Sequence, residues 1–171
     1  MTINSLMETI KKTAVGIQFL KDRLPKDVDV VSYEKLKGKD RRTVFKGKRA
    51  VVILIPKKGE KLGHFVVCLP RENHIEYFSS LGNDYKVELH KLGEASAIFD
   101  TLLGKQYIYN RVPLQSKAYH INDCAAFVLS RVYLSHLKLR EFVKLFQKSV
   151  NLQSSDDIVA LMTVLHFVNS D

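Results

Sequence analysis

Cys124 follows Asn122-Asp123 and leads into Ala125-Ala126-Phe127-Val128-Leu129, a run that reads as the opening of an apolar helix. Free N–H groups and the positive end of the helix dipole at such a place stabilise a thiolate, so a sulfur nucleophile would be well served there. The commoner role of a cysteine in that position is a small buried hydrophobe. His64 shifts the balance, because it follows Gly63 and leads a strand-like run, and a thiol nucleophile needs a base held by rigid backbone. Gln115 stands in the loop ahead of Cys124. Its amide could donate to an oxyanion together with the main-chain N–H of Cys124, although a loop glutamine taken singly is usually solvated surface. Cys68 is a poorer nucleophile: four residues past His64 on the same strand, at ~3.3 Å per residue, it lies ~13 Å away.

The elements that must position these residues follow from periodicity. Apolar residues Ile3, Leu6, Met7, Ile10, Ala14, Ile17 and Phe19 or Leu20 recur at near-helical spacing and predict an opening amphipathic helix that ends at Leu24-Pro25. Residues 35–49 carry Lys35, Lys37, Lys39, Arg41, Arg42, Lys46, Lys48 and Arg49 with two glycines, and read as an exposed basic loop or hairpin. Three strand-like runs, 50–55, 64–69 and 74–78, are separated by Pro56-Lys57-Lys58-Gly59 and Pro70-Arg71-Glu72-Asn73, which makes an antiparallel meander the simplest assembly. One or two helices are expected over 85–103, stopped by Gly104, then a β-rich run over 107–112. The chain closes with a helix from about 123 to 136, another over 139–146, and an apolar helix over 155–168 opened by Ser154, Ser155, Asp156 and Asp157. The expected class is α+β.

Composition bounds the functions. A chain of 171 residues with 46% hydrophobic and 26% charged residues matches one globular domain spanning 1–171. Two cysteines argue against a disulfide-stapled secreted scaffold, and no h-region of a signal peptide is visible near the start. The longest apolar runs fall short of the ~20 residues that span a bilayer, so a soluble protein is expected. The charge of +9 favours polyanions or an acidic partner surface. The basic run 35–49 could track phosphates, though such a loop is more often simply solvated.

Taken together, Gly63-His64-Phe65-Val66-Val67, Tyr77-Phe78-Ser79-Ser80-Leu81-Gly82, Gln115 and Asn122-Asp123-Cys124-Ala125 resemble the adenain-like cysteine proteases. That group joins the adenovirus maturation protease, related enzymes of large DNA viruses, virophages and Polinton-type elements, and the SUMO-specific proteases. The order His, acidic residue, Gln, Cys is the signature of that group, and Phe19-Leu20-Lys21-Asp22-Arg23-Leu24-Pro25 looks like the segment after the first helix of the adenovirus enzyme. The resemblance implies a papain-like variant of the adenain type, with a central, mostly antiparallel sheet flanked by helices. It implies Cys124 as nucleophile, His64 as general base and then acid, and Gln115 as oxyanion donor.

Four departures stand out. Ser79 occupies the position where the family usually has Asp, Asn or Glu, so either a Cys-His dyad suffices with Ser79 or water on the imidazole, or Asn83 or Asp84 substitutes. Glu76 lies three residues from Ser79 on a strand and should face the other way. Phe65 stands in place of Trp and Ala125 in place of Gly, and the interval from Gln115 to Cys124 is longer than usual.

The implied activity is an endopeptidase that processes capsid or core precursors in the virion and host cell, as a monomer, with residues 35–49 as the candidate contact for DNA. Two other readings remain: removal of a ubiquitin-like modifier, and a non-catalytic nucleic-acid-binding virion protein on the same fold, which Ser79 would favour. No paired metal-ligand spacing is visible among His74, His90, His120, His136 and His166, and no phosphate-binding glycine loop is present, so neither a metal nor a nucleotide cofactor is assigned.

Overall fold

A computed structural model describes residues 2–12, 15–60, 63–116, 123–147 and 154–168 of the chain. Ala14, His120 and Asn122, all named above, lie outside them, as does the side chain of His166.

The fold is α+β and built on one five-stranded sheet in the order β1-β2-β3-β4-β5. Its strands are β1 (Val28–Ser32), β2 (Ala50–Pro56), β3 (Gly63–Pro70), β4 (Ile75–Phe78) and β5 (Tyr107–Tyr109). The central three strands form the expected antiparallel meander, with Ile55 opposite His64 and Val67 opposite Phe78. Both edges differ from it: β1 runs parallel to β2 and β5 runs parallel to β4. A parallel partner needs a crossover, and α4 (Tyr85–Leu92) and α5 (Ala97–Leu103) supply it between β4 and β5.

The opening helix is two pieces, α1 (Ile3–Lys12) and α2 (Ile17–Lys21). The basic segment is not a loop or hairpin. It holds a 3-10 turn over Tyr33–Leu36 and α3 (Arg41–Phe45), whose first turn is capped by Asp40 accepting from the Thr43 N–H at 2.7 Å. The three closing helices are α6 (Cys124–Tyr133), α7 (Leu139–Gln147) and α8 (Ser155–Val168).

Strand alternation splits the core across the two sheet faces. Phe65, Val67, Leu69 and Phe78 pack with Phe127, Val128 and Phe142 of α6 and α7, while Val66, Cys68, Ile75 and Tyr77 pack with Tyr85, Leu89 and Phe99 of α4 and α5. Buried Glu76 and Arg131 set the position of α6 on the sheet. The Arg131 guanidinium donates to the Glu76 carboxylate at 2.6 and 3.0 Å and to the carbonyls of Leu134 and Leu137 at 2.7 and 2.9 Å. A fork satisfied on every side permits one register of helix against strand, and that register fixes where the first residue of α6, Cys124, sits.

Candidate active site

β3 begins at Gly63 because the strand beside it leaves no room for a side chain. A Cβ there would stand 2.3 Å from the Ile55 carbonyl oxygen. The next residue, His64, shares the alternation of Val66 and Cys68 and so projects toward α4 rather than α6. Its Nε2 lies 3.0 Å from Ser79 Oγ, and Ser79 Oγ donates to Glu88 Oε2 at 3.0 Å. Glu88 Oε1 is 3.5 Å from the same ring nitrogen. All three side chains are buried.

This chain of contacts fixes the tautomer. A serine hydroxyl has one proton, and here it goes to the carboxylate, so Ser79 Oγ must accept from His64 Nε2–H, which leaves Nδ1 as the unprotonated nitrogen. The Leu81 N–H adds a second donor to Ser79 Oγ at 3.3 Å. Burial pulls the imidazole below its ordinary value, and the nearby Glu88 charge opposes that pull.

Glu88 is the residue that the sequence reading missed. Of the substitutes it considered, Asp84 caps α4 through the Lys86 N–H and accepts from Tyr107, and Asn83 accepts from Lys91, so neither reaches His64. Glu76 faces α6, as strand alternation required. The available signal was an acid at the buried positions of an amphipathic helix, Tyr85, Glu88 and Leu89, where an unpaired carboxylate is costly unless something answers it.

Ser79 itself is pinned by Asn110, whose Oδ1 accepts from the Ser79 N–H at 3.1 Å and whose Nδ2 donates to the Ser79 carbonyl at 2.6 Å. The turn that follows needs glycine at position 82. Gly82 has φ +68°, and a Cβ would meet Pro113 N at 2.5 Å. That close approach lets the strand of chain bearing Gln115 cross the Ser79–Gly82 turn. The Leu114 and Gln115 N–H groups both donate to the Ser80 carbonyl, and Ser80 Oγ donates to Gln115 Oε1 at 2.6 Å. The carbonyl end of the amide is thereby fixed on Ser80, and the NH2 end points the other way.

Cys124 opens α6 and is only partly exposed. Burial pushes its thiol up to about 11, against the pull of the main-chain N–H groups of Phe65, Ala125 and Cys124 itself. Desolvation therefore outweighs the helix N-terminus that the sequence suggested would favour a thiolate. The involvement of the Phe65 amide sets the sulfur beside the backbone neighbour of His64. No direct hydrogen bond joins Cys124 to the His64 ring among the described residues, and burial favours the neutral form of both the thiol and the imidazole. Cys68 is wholly buried, and burial drives its thiol far upward.

Elsewhere, no group of three or more metal-ligating side chains occurs among the described residues, and no helix among them is long and apolar enough to cross a membrane. In the basic segment, Lys48 pairs with Asp29 and Arg49 with Asp27. Arg41, Arg42, Phe45 and Lys46 line a shallow hollow of about 460 Å³ with Pro70.

No protein-family model matches the chain, and no curated protein matches it. Among solved structures it is similar to the SUMO protease Ulp1 with its catalytic cysteine oxidised to a sulfonic acid, at 15% identity and TM-score 0.37 over 99% of this chain and 76% of that one. The C-terminal Ulp1 protease domain in complex with Smt3, the yeast orthologue of SUMO, gives 16% identity and the same TM-score over 99% and 75%. At that level of overlap the chemistry has to be read from this chain's own geometry.

Proposed function

We propose that the chain is a cysteine endopeptidase with Cys124 as nucleophile, His64 as base, Ser79 and Glu88 as the groups that orient and counter-charge the imidazole, and Gln115 as oxyanion donor. The observation that supports this best is the His64–Ser79–Glu88 chain of contacts. It leaves Nδ1 as the unprotonated nitrogen of a ring one residue before Phe65, whose main-chain N–H favours the Cys124 thiolate.

Attack of sulfur on the scissile carbonyl carbon would send the thiol proton to His64 Nδ1. The imidazolium would then be stabilised through Nε2–H, Ser79 and the Glu88 carboxylate. Collapse of the tetrahedral intermediate breaks the C–N bond as Nδ1–H protonates the leaving amine, and a water activated by His64 cleaves the thioester. With burial favouring the neutral form of both groups, the proton moves during attack rather than before it. Catalytic contacts that are long at rest commonly tighten only with substrate in place.

The substrate class proposed is a capsid or core precursor cleaved in virion or host cell, as the resemblance implies. The hollow at Arg41, Arg42 and Lys46 is the place where nucleic acid would bind, because those cations, unlike Lys48 and Arg49, are not drawn into the ion pairs with β1 and the turn before it.

An electrophilic peptide probe tests the chemistry. Cys124 should be labelled near neutral pH and Cys68 should not, and His64→Ala should slow labelling by about 10²-fold or more. Equal, slow labelling of both thiols would overturn the reading. Cleavage of capsid-precursor peptides, set against release of a modifier with a Gly-Gly tail, then separates the proposed substrate from its nearest chemical rival.

A further inference from the structure

Two carboxyl groups that form no salt bridge with a cation among the described residues lie under the start of α6. Asp123, the residue before Cys124, is 1% exposed, and neither of its carboxyl oxygens meets a donor from a described neutral or cationic group. Asp156, in the first turn of α8, is 3% exposed. Its two oxygens accept the Ser116 N–H at 3.0 and 3.2 Å, and its side chain lies within hydrogen-bond reach of Asp123. Two carboxylates side by side in a dry site repel each other, and such a pair is tolerable when one acid keeps its proton and donates it to the other.

We propose that Asp123 and Asp156 share one proton, with Asp123 the donor and Asp156 the acceptor, and that this O–H···O bond is a positioning device for the reacting groups. Asp156 reaches Asp123, which adjoins Cys124, and Ser116, which adjoins Gln115, so one side chain of α8 ties the nucleophile's helix to the oxyanion donor's loop. The proposal rests on the cysteine-protease reading for its consequences in activity. When Asp123 loses its proton to solvent base, two like charges face each other, the tie to Ser116 is strained, and a full negative charge appears beside the sulfur, where it disfavours the thiolate.

The surroundings agree with that assignment. Burial raises both acids, Asp123 to about 8, and each lies in the field of Lys11 from α1, which pulls the other way. Lys11 is itself drawn to Asp157 and Glu8, and Asp157 adds a further negative charge on α8. On α6 the group facing the pair is Cys124. The Ser116 N–H favours the charged form of Asp156, which is why Asp156 is the member left ionised.

Asp123→Asn carries a permanent N–H donor in place of the proton and cannot ionise. Cys124 labelling should therefore be faster in that variant than in the parent as pH rises through about 8, where the parent's Asp123 ionises. Asp156→Asn should do the opposite at neutral pH, because Asp123 then ionises beside the sulfur, and labelling should slow relative to Asp123→Asn. Superimposable profiles for the parent and Asp123→Asn would overturn the proposal.

Stability gives a readout that does not depend on the protease reading. A carboxyl whose folded value is raised stabilises the fold fully below its ordinary range, and that contribution is lost as pH rises from about 4 through 8. The parent's Tm should therefore fall relative to Asp123→Asn across that window and run parallel to it above. If that divergence appears while no thiol is labelled at any pH, the shared proton stands and the protease reading falls. Should Asp123→Asn not fold, carboxyl 13C titration of the parent decides: an aspartate titrating near pH 8 supports the pair, and all aspartates titrating below pH 6 overturns it.

Discussion

Glu76 and Glu88 are both buried glutamates, 1% and 2% exposed, and they serve opposite faces of the sheet, Glu76 from β4 itself toward α6 and Glu88 from α4. Glu76 is saturated: Arg131 forks onto both of its oxygens, and Arg71 adds a contact at 3.0 Å from the rim. Glu88 receives one hydroxyl proton from Ser79 and stands 3.5 Å from an imidazole that can change its charge. A fixed guanidinium partner makes a carboxylate a structural rivet, because nothing near it titrates in the working range. A partner that is neutral at rest leaves negative charge in reserve, and that reserve has value only when the ring becomes cationic. The contrast separates holding α6 in place from assisting chemistry at its first residue.

The largest expected effect breaks the rivet. Arg131→Met leaves Glu76 buried with Arg71 alone and strips the Leu134 and Leu137 carbonyls of their donor. Unfolding free energy should drop by about 3 kcal/mol or more in denaturant titration, the scale for removing one member of a buried ion pair. The acid limb of Cys124 labelling should stay where it is in the protein that remains folded, since Arg131 faces away from His64. A shifted limb would mean that the two glutamates are not as separate as their contacts indicate.

Glu88→Gln should do the reverse. The fold keeps a side chain of the same shape, while kcat/KM for a cleavable peptide falls by about 10²-fold, some 2.7 kcal/mol of transition-state stabilisation, because the imidazolium loses its counter-charge. The sign of the pH effect follows from the charges. Burial already lowers the imidazole and Glu88 holds it up, so without that charge the acid limb moves further down, below where the parent's own limb lies under the ordinary histidine value. Rate loss with no movement of the limb would reduce Glu88 to packing.

Why one glutamate was legible in the sequence and the other was not comes down to distance along the chain. The side of β4 on which Glu76 lies follows from alternation between residues three apart. The meeting of Glu88 with His64 depends on how α4 crosses over β3, a tertiary relation that no local spacing encodes. The same division runs through the fold. The three central strands were readable because Pro and Gly turns bound them, whereas β1, with Asp29 inside a five-residue run, and its parallel pairing to β2 were not. α3 was hidden because its capping residue, Asp40, sits among eight cations that read as a solvated loop. Cys124 was placed correctly at a helix start, but the sequence could not show that burial there would outweigh the helix N-terminus.

The smallest effect sharpens the comparison at the relay between ring and carboxylate. Ser79→Ala removes a neutral hydroxyl that accepts from His64 and donates to Glu88, interactions worth about 1.4 kcal/mol net, or tenfold in kcat/KM. The carboxylate already stands 3.5 Å from Nε2, so with the hydroxyl gone Glu88 can bond the ring directly. A closer negative charge favours the imidazolium, and the acid limb should therefore move upward, opposite to its movement in Glu88→Gln. A modest rate loss with that upward shift would establish Ser79 as a spacer between base and counter-charge. A loss as deep as that of Glu88→Gln, with no shift, would instead make the serine the group that orients the ring and return Glu88 to the same structural role as Glu76.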